Sequence, residues 1–371
     1  MHGTEEPFCA AVLQSVKIHT PMVIYRYITR ELGLTFLVCI IGLNMVLMME
    51  KILRLSRLMS GVGASYLDMT WVLILIQPQI LVLTIPMALL LSVLLTYGRM
   101  EVDNELTVLR SSGMKFGEIA RPVFYLSAIL LAFSVFITLY LMPLSSKTLR
   151  GEINRVLKER APMSIEPGVF FTSFKGFLIL VNEKTGEGDF KGIFISDNRN
   201  PESERVIVAR KGKLTLDKEM QPGFSLADGT VHIVNKDSST EINFAEYKFT
   251  IRLSGEILNR KKSEMTLPEL YKRAVTEKTN GTGYFIEFHR RLSFPALIIA
   301  LAFLAPALSL RAGKTGKTGG FIIGLLVFTI YYVALLYFEN LVRAGKLPHL
   351  ACWIPFAVLT AVAVLLYRRE E

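Results

Sequence analysis

Apolar residues are not spread evenly along this chain. They gather in six blocks that hold no Asp, Glu, Lys or Arg: 32–49, 69–98, 122–146, 292–310, 318–338 and 347–367. Each block has 18 or more residues, and about 20 residues of helix cross a hydrocarbon core roughly 30 Å thick. Lipid offers no hydrogen-bond partner, so backbone inside it must pair with itself, and the blocks are predicted to be helices. Core helices of a water-soluble domain do not run to this length six times over without a charge.

Between the third and fourth blocks the pattern changes. Leu149, Ile153, Val156 and Leu157 recur at helical spacing across 145–160, which predicts that span three continues beyond the membrane until Pro162 and Pro167-Gly168. Short alternating runs follow at 169–173, 177–181, 192–196, 205–216, 223–234 and 240–253. They are punctuated by Asn182-Glu183, Asp197-Asn198, Pro222-Gly223 and Asp228-Gly229. Strands of this length and spacing predict an antiparallel sandwich or open barrel of jelly-roll type. A helix is predicted to restart at Thr266-Leu267-Pro268-Glu269, which has capping-box spacing with Pro in the first turn, and to break at Asn280-Gly281.

The predicted fold class is a membrane α-helical protein of six transmembrane helices with an inserted all-β, jelly-roll-like domain between spans three and four. Its parts are 22–143 with spans one to three, 144–283 with the β-domain and its flanking helices, and 284–371 with spans four to six. The segment 1–21 lacks the basic start, apolar core and cleavage site of a signal peptide and is expected to be poorly ordered, Met22 opening the better start.

Charge sets the orientation. With both termini inside, the inner segments 1–31, 99–121, 311–317 and 368–371 hold 12 Lys and Arg, and the short outer segments 50–68 and 339–346 hold five. Cytoplasmic loops carry the excess of cations, so the termini are expected in the cytoplasm and the β-domain on the outer side. The composition agrees: 51% hydrophobic and 20% charged residues, with a mean hydropathy of +0.41, are too apolar for a water-facing surface. A net charge of +10 raises nucleic acid as a partner, but the cations flank spans or scatter through the β-domain and line no single face.

Catalytic signatures do not accumulate. The sequence holds no His-Glu-x-x-His, no Cys-x-x-Cys and no Gly-x-Ser-x-Gly, and Cys9, Cys39 and Cys352 have neither metal-ligand nor disulfide-framework spacing. The run Gly313-Lys314-Thr315-Gly316-Lys317-Thr318 looks like a phosphate loop, yet Leu308 and Arg311 occupy the places where that motif needs its first Gly. No catalytic residue, metal site or cofactor is expected in this chain. The five histidines (2, 19, 232, 289 and 349) are scattered.

A better lead lies between spans two and three, in 99–113. Val102, Leu106 and Leu109 fall on one helical face, Glu101, Asp103, Glu105 and Arg110 lie elsewhere, and Gly113 is placed to end the helix. The bland reading is a solvated interfacial helix; the functional one is a docking helix that fits a groove in a cytoplasmic partner.

Four stretches carry a family resemblance: Arg26-Tyr27-Ile28, Glu105-Leu106-Thr107-Val108-Leu109-Arg110-Ser111-Ser112-Gly113, Glu287-Phe288-His289-Arg290-Arg291 followed by Pro295, and Gly345-Lys346-Leu347-Pro348 with Trp353-Ile354-Pro355. They resemble the lipopolysaccharide export permease family, and Glu50-Lys51-Ile52-Leu53-Arg54 looks more like its F than its G subunit. One departure is Phe356, where the family often has Asn. The resemblance runs from about residue 22 to 369. It implies a permease subunit of an ABC transporter that extracts lipopolysaccharide from the inner membrane and passes it to a periplasmic β-fold bridge.

Implied partners are a homologous second permease subunit, a dimeric cytoplasmic ATPase that uses the ATP, periplasmic β-jelly-roll bridge proteins and lipopolysaccharide. Glu101, Asp103, Glu105, Leu106, Leu109, Arg110 and Gly113 would then form the ATPase-coupling segment. Lys51, Arg54 and Arg57 follow span one at spacings of three and share one helical face; the bland reading is cations snorkelling to lipid headgroups, the functional one contact with the phosphates of an anionic glycolipid. The alternative is a membrane-anchored envelope sensor or scaffold whose β-domain binds a ligand without transport. A lipoprotein-release permease is disfavoured, since that design has four spans.

Overall fold

The structure, a computed structural model, describes residues 6–60, 65–164, 167–170, 177–186, 188–198, 203–216, 222–235, 239–250, 261–277, 281–312 and 316–370. Six helices are long and apolar enough to cross a membrane: Val23–Ser56, Tyr66–Val102, Phe116–Ile153, Gly281–Arg311, Gly319–Arg343 and His349–Glu370. Each uncharged block of the sequence coincides with one of them, the fifth and sixth starting a residue or two before Gly319 and His349. They belong to α1 (Glu6–Ser60), α2 (Tyr66–Val102), α4 (Phe116–Phe136) continuing into α5 (Met142–Ser164), α8 (Gly281–Ala312), α9 (Gly316–Arg343) and α10 (Ile354–Glu370). α1 takes in 6–21 as well, a stretch without Gly or Pro between Pro7 and Pro21. A five-residue π segment, Ile137–Leu141, joins α4 to α5, and there Thr138 Oγ1 donates to the Ser134 carbonyl at 2.7 Å.

The chain divides into two compact units, the first made of Met1–Leu47, Pro78–Pro143 and Met265–Glu371. Its main apolar cluster is centred on Leu89, Leu90, Val93, Leu94, Tyr97, Leu297, Ile298 and Leu301, all essentially buried. α2 and α8 form its middle: 78% and 72% of their apolar windows are buried within the protein, against 6% for span one. Helices in lipid gain no hydrophobic drive from one another, so close packing must hold them. α9 supplies it with Gly320 and Gly324. A Cβ at Gly320 would sit 3.2 Å from the Leu94 carbonyl oxygen, and one at Gly324 would sit 2.8 Å from Leu91 Cδ2.

The second unit comprises Met48–Gln77 and Leu144–Glu264. Its sheet has five antiparallel strands in sequence order: β1 (Phe177–Lys184), β2 (Asp189–Asp197), β3 (Ser203–Leu216), β4 (Pro222–Asn235) and β5 (Ser239–Thr250). Alternation puts Phe177, Ile179, Val181, Ile193, Ile195, Ile207, Phe224 and Leu226 on one buried face. The described strands thus form a meander of hairpins rather than Greek-key crossings. Of the expected first strand, Val169 and Phe170 lie outside any strand, and 171–173 fall outside the described residues. α5 carries Leu149 and Ile153 inward as their spacing predicts, and Arg150 pairs with Glu264 of the short α6 (Lys261–Glu264) at 3.1 Å.

Back in the first unit, the capping box at Thr266 is formed: Glu269 Oε2 accepts the Thr266 backbone N–H at 2.9 Å and starts α7 (Leu267–Thr276). α7 lies against α8, with Leu270 and Ala274 packed on Tyr284.

Candidate functional site

The segment between spans two and three folds in three steps. α2 ends at Val102. Asn104 then takes a left-handed conformation (φ 60°), and the seven-residue α3 runs from Glu105 to Ser111. Gly113 ends α3 as its position predicts. At φ 91° its N–H reaches the Arg110 carbonyl at 3.0 Å while the Met114 N–H reaches that of Leu109 at 3.2 Å. This double closure needs a left-handed residue, which glycine adopts without steric cost.

The turn at Asn104 rearranges the faces of the segment. On an unbroken helix Val102, Leu106 and Leu109 would align, and the sequence reading offered that face to a partner. Instead Leu106 is 1% exposed, sits in the core with Met100, Phe116 and Ile119, and has Leu109 packed beside it, whereas Val102 is 50% exposed. The residue turned outward is Val108, at 63%. The apolar leucines hold α3 to its own bundle, and Val108 and the polar turn are left exposed.

Side chains from α1 and α2 tighten this mounting. Arg99 Nη2 donates to Tyr27 Oη at 3.0 Å, and Tyr27 Oη donates in turn to the Glu105 carboxylate at 3.3 Å. Arg99 also pairs with Glu31 at 3.2 Å. The Tyr97 hydroxyl, fully buried, donates to the Ile119 carbonyl at 2.7 Å and ties α2 to α4 across the loop. Beside α3 opens a cavity of about 330 Å³. Ile24, Met100, Val108 and Leu109 supply its apolar wall, and Tyr27, Asp103, Asn104 and Glu105 its polar rim. On the far side of α3, Arg110 lies over the Phe116 ring, 5.5 Å from its centre, and approaches Glu370 at 3.8 Å.

The structure thus gathers Asp103, Glu105, Leu106, Leu109, Arg110 and Gly113 around one short helix, with Glu101 in the last turn of α2. Lys51 and Arg54 belong to the other unit. Glu50 meets both there, with Arg54 Nη2 at 2.8 Å and Lys51 Nζ at 3.8 Å, so their face carries an anion that counting cations alone leaves out. Arg57 lies in α1, but its side chain is outside the described residues.

A second polar cluster draws on two stretches that carried the family resemblance, to which the sequence reading assigned no role. Arg290 of α8 holds Glu339 of α9 through two parallel hydrogen bonds, Nε to Oε1 at 2.9 Å and Nη2 to Oε2. Arg291, which is buried, donates to the Met265 carbonyl at 2.5 Å and pairs with Glu287 at 3.3 Å. Trp353 Nε1 donates to His289 Nδ1 at 3.0 Å, and His289 Nε2 meets His349 Nδ1 at 2.9 Å. An indole nitrogen only donates, so His289 Nδ1 accepts, its proton sits on Nε2, and His349 Nδ1 accepts from it. Phe285 stacks on His349 at 4.3 Å. Besides those stretches, the sequence signals it through a pair of charges, Arg290 and Glu339, just outside the ends of two apolar blocks. Among the described residues no group of three or more His, Cys, Asp or Glu could hold a metal ion.

Comparison with known proteins adds to this geometry. Residues 26–369 match the family model described as lipopolysaccharide export system permease LptF/LptG. An uncharacterized protein of Rickettsia prowazekii is 23% identical over 360 residues, covering 93% of this chain and 98% of that protein. The lipopolysaccharide export system permease protein LptF of Escherichia coli K12 is 22% identical over 354 residues, covering 93% and 94%. The protein of the same name from Shigella flexneri matches to the same extent. With six membrane-length helices, a β-sheet unit between the third and fourth, and a family match over nearly its whole length, this multi-pass membrane protein belongs to the lipopolysaccharide export permease family LptF/LptG.

Proposed function

We propose that this chain is a permease subunit of an ABC transporter that takes lipopolysaccharide from the inner membrane and hands it to a periplasmic β-fold bridge. α3 is its contact with a separate, dimeric cytoplasmic ATPase. The carrying observation is the mounting of α3. A seven-residue helix would be marginal alone, yet Leu106 and the Arg99–Tyr27–Glu105 chain fix it to spans one and two. It presents Val108, Asp103 and Asn104 beside a cavity. A short helix held so firmly transmits displacement to the spans instead of absorbing it.

The excess of cations in 1–31, 99–121, 311–317 and 368–371 supports a cytoplasmic position for α3 and both termini, and a periplasmic one for the sheet. A homologous second permease would complete the path. Lys51, Arg54 and Arg57 are the groups proposed to meet lipid phosphates, with Glu50 releasing Arg54 as the anion arrives.

The test is co-purification in mild detergent. The wild-type chain should bring down an ATPase subunit and a second permease. Val108→Asp places a carboxylate in the docked surface without touching the core, so it should release the ATPase while the bundle's thermal stability is unchanged. Equal ATPase recovery with Val108→Asp, or none with wild type, would overturn the reading.

A further inference from the structure

The end of α10 carries a carboxylate that joins two elements far apart in sequence. Glu370 Oε1 accepts from Arg311 Nε at 3.3 Å, at the end of span four, and Glu370 Oε2 lies 3.8 Å from Arg110 Nη2 on α3. One turn earlier on α10, Tyr367 meets Phe116 at 5.2 Å, Phe303 at 5.4 Å and Phe124 at 6.0 Å, ring centre to ring centre. Phe116 is the ring under the Arg110 guanidinium. Two routes, one ionic and one aromatic, therefore run from α3 to the same end of α10.

Covalent connection alone would link α3 only to spans two and three. We propose that Glu370 is a positioning residue that passes the displacement of α3 to spans four and six, so that one ATPase contact moves helices on both sides of the β-domain insertion. The inference rests on the reading of α3 as the ATPase contact. Its ion pairs are suited to a transmitted movement: all three side chains keep partial contact with solvent, so the contacts can lengthen and reform at small cost.

The experiment uses the purified complex in proteoliposomes, measuring ATP hydrolysis and lipopolysaccharide release together. In Glu370→Gln the ATPase should co-purify as in wild type and hydrolysis should stay within about twofold, while lipopolysaccharide released per ATP falls about fivefold. Arg311→Gln should do the same, and the double variant should be no worse than either single one, because both remove one link.

A wild-type release ratio in Glu370→Gln, or a double variant showing the product of the two single losses, would overturn the inference. Loss of the ATPase from Glu370→Gln would do so too, since the residue would then hold the assembly together instead of passing movement. Val108→Asp separates the two proposals: if it releases the ATPase while Glu370→Gln transports normally, only the role of Glu370 fails.

Discussion

Arg290 and Glu339 lock α8 to α9 through a two-pronged ion pair whose carboxylate side chain is only 3% exposed. Planar guanidinium matches planar carboxylate, a geometry that an ammonium group cannot reproduce. Removing the arginine strands a buried carboxylate, which in a fully buried pair costs about 3–5 kcal/mol and here less, because Arg290 is 37% exposed. Arg290→Ala should therefore lower the melting temperature in detergent sharply. Arg290→Lys should recover only part of the loss, and the double replacement with Glu339→Gln should be milder than Arg290→Ala alone. Thermal unfolding monitored by light scattering checks the order of the three.

Close approach of α9 to α2 gives a second expectation. Gly320 faces a backbone carbonyl that cannot move aside, whereas Gly324 faces the mobile ends of Leu91 and Leu94. Gly320→Leu should destabilise the bundle by about 1–3 kcal/mol, and Gly324→Ala by less. Equal losses in a denaturation series would contradict this account of the packing.

Tyr27 stands between Arg99 and Glu105, so its hydroxyl is the hinge pin of α3. Tyr27→Phe deletes both contacts and keeps the ring. Losing a hydrogen bond to a charged group costs about 1.5 kcal/mol, roughly a tenfold rise in local opening. Hydrogen exchange across 105–111 should quicken by that order while the core of α2 stays protected.

Orientation can be read by labelling. Lys213, on β3, is 61% exposed, and Ser112 is exposed after α3. In spheroplasts with intact inner membranes, an impermeant maleimide should react with Lys213→Cys and not with Ser112→Cys. The reverse pattern would place the sheet in the cytoplasm and remove the export reading.

The cations after span one lead to a final test. Lys51→Glu should reduce photo-crosslinking of lipopolysaccharide to 48–60 several-fold with the complex still assembled. Glu50→Gln, which leaves Arg54 without that anion, should increase it. No change in either variant would make these residues interface anchors only.

The sequence alone settled the number of spans, the place of the insertion, five of the six expected strands, the capping box at Thr266 and the closing role of Gly113. All of these depend on local quantities: the length of an uncharged run, a period of two or of 3.6, or the conformational freedom of one residue. It did not determine which face of the segment 99–113 looks outward. A left-handed turn at Asn104 rotates α3 relative to α2, and no periodicity carries across such a turn. Nor did it reveal the lock of Arg290 with Glu339, 49 residues apart, or the contact of His289 with His349, 60 apart. The reach of Glu370 to Arg110 and Arg311 was equally hidden. Such pairs form only when helices meet at particular heights and rotations, and packing of the whole bundle decides those, not the pattern along any one helix.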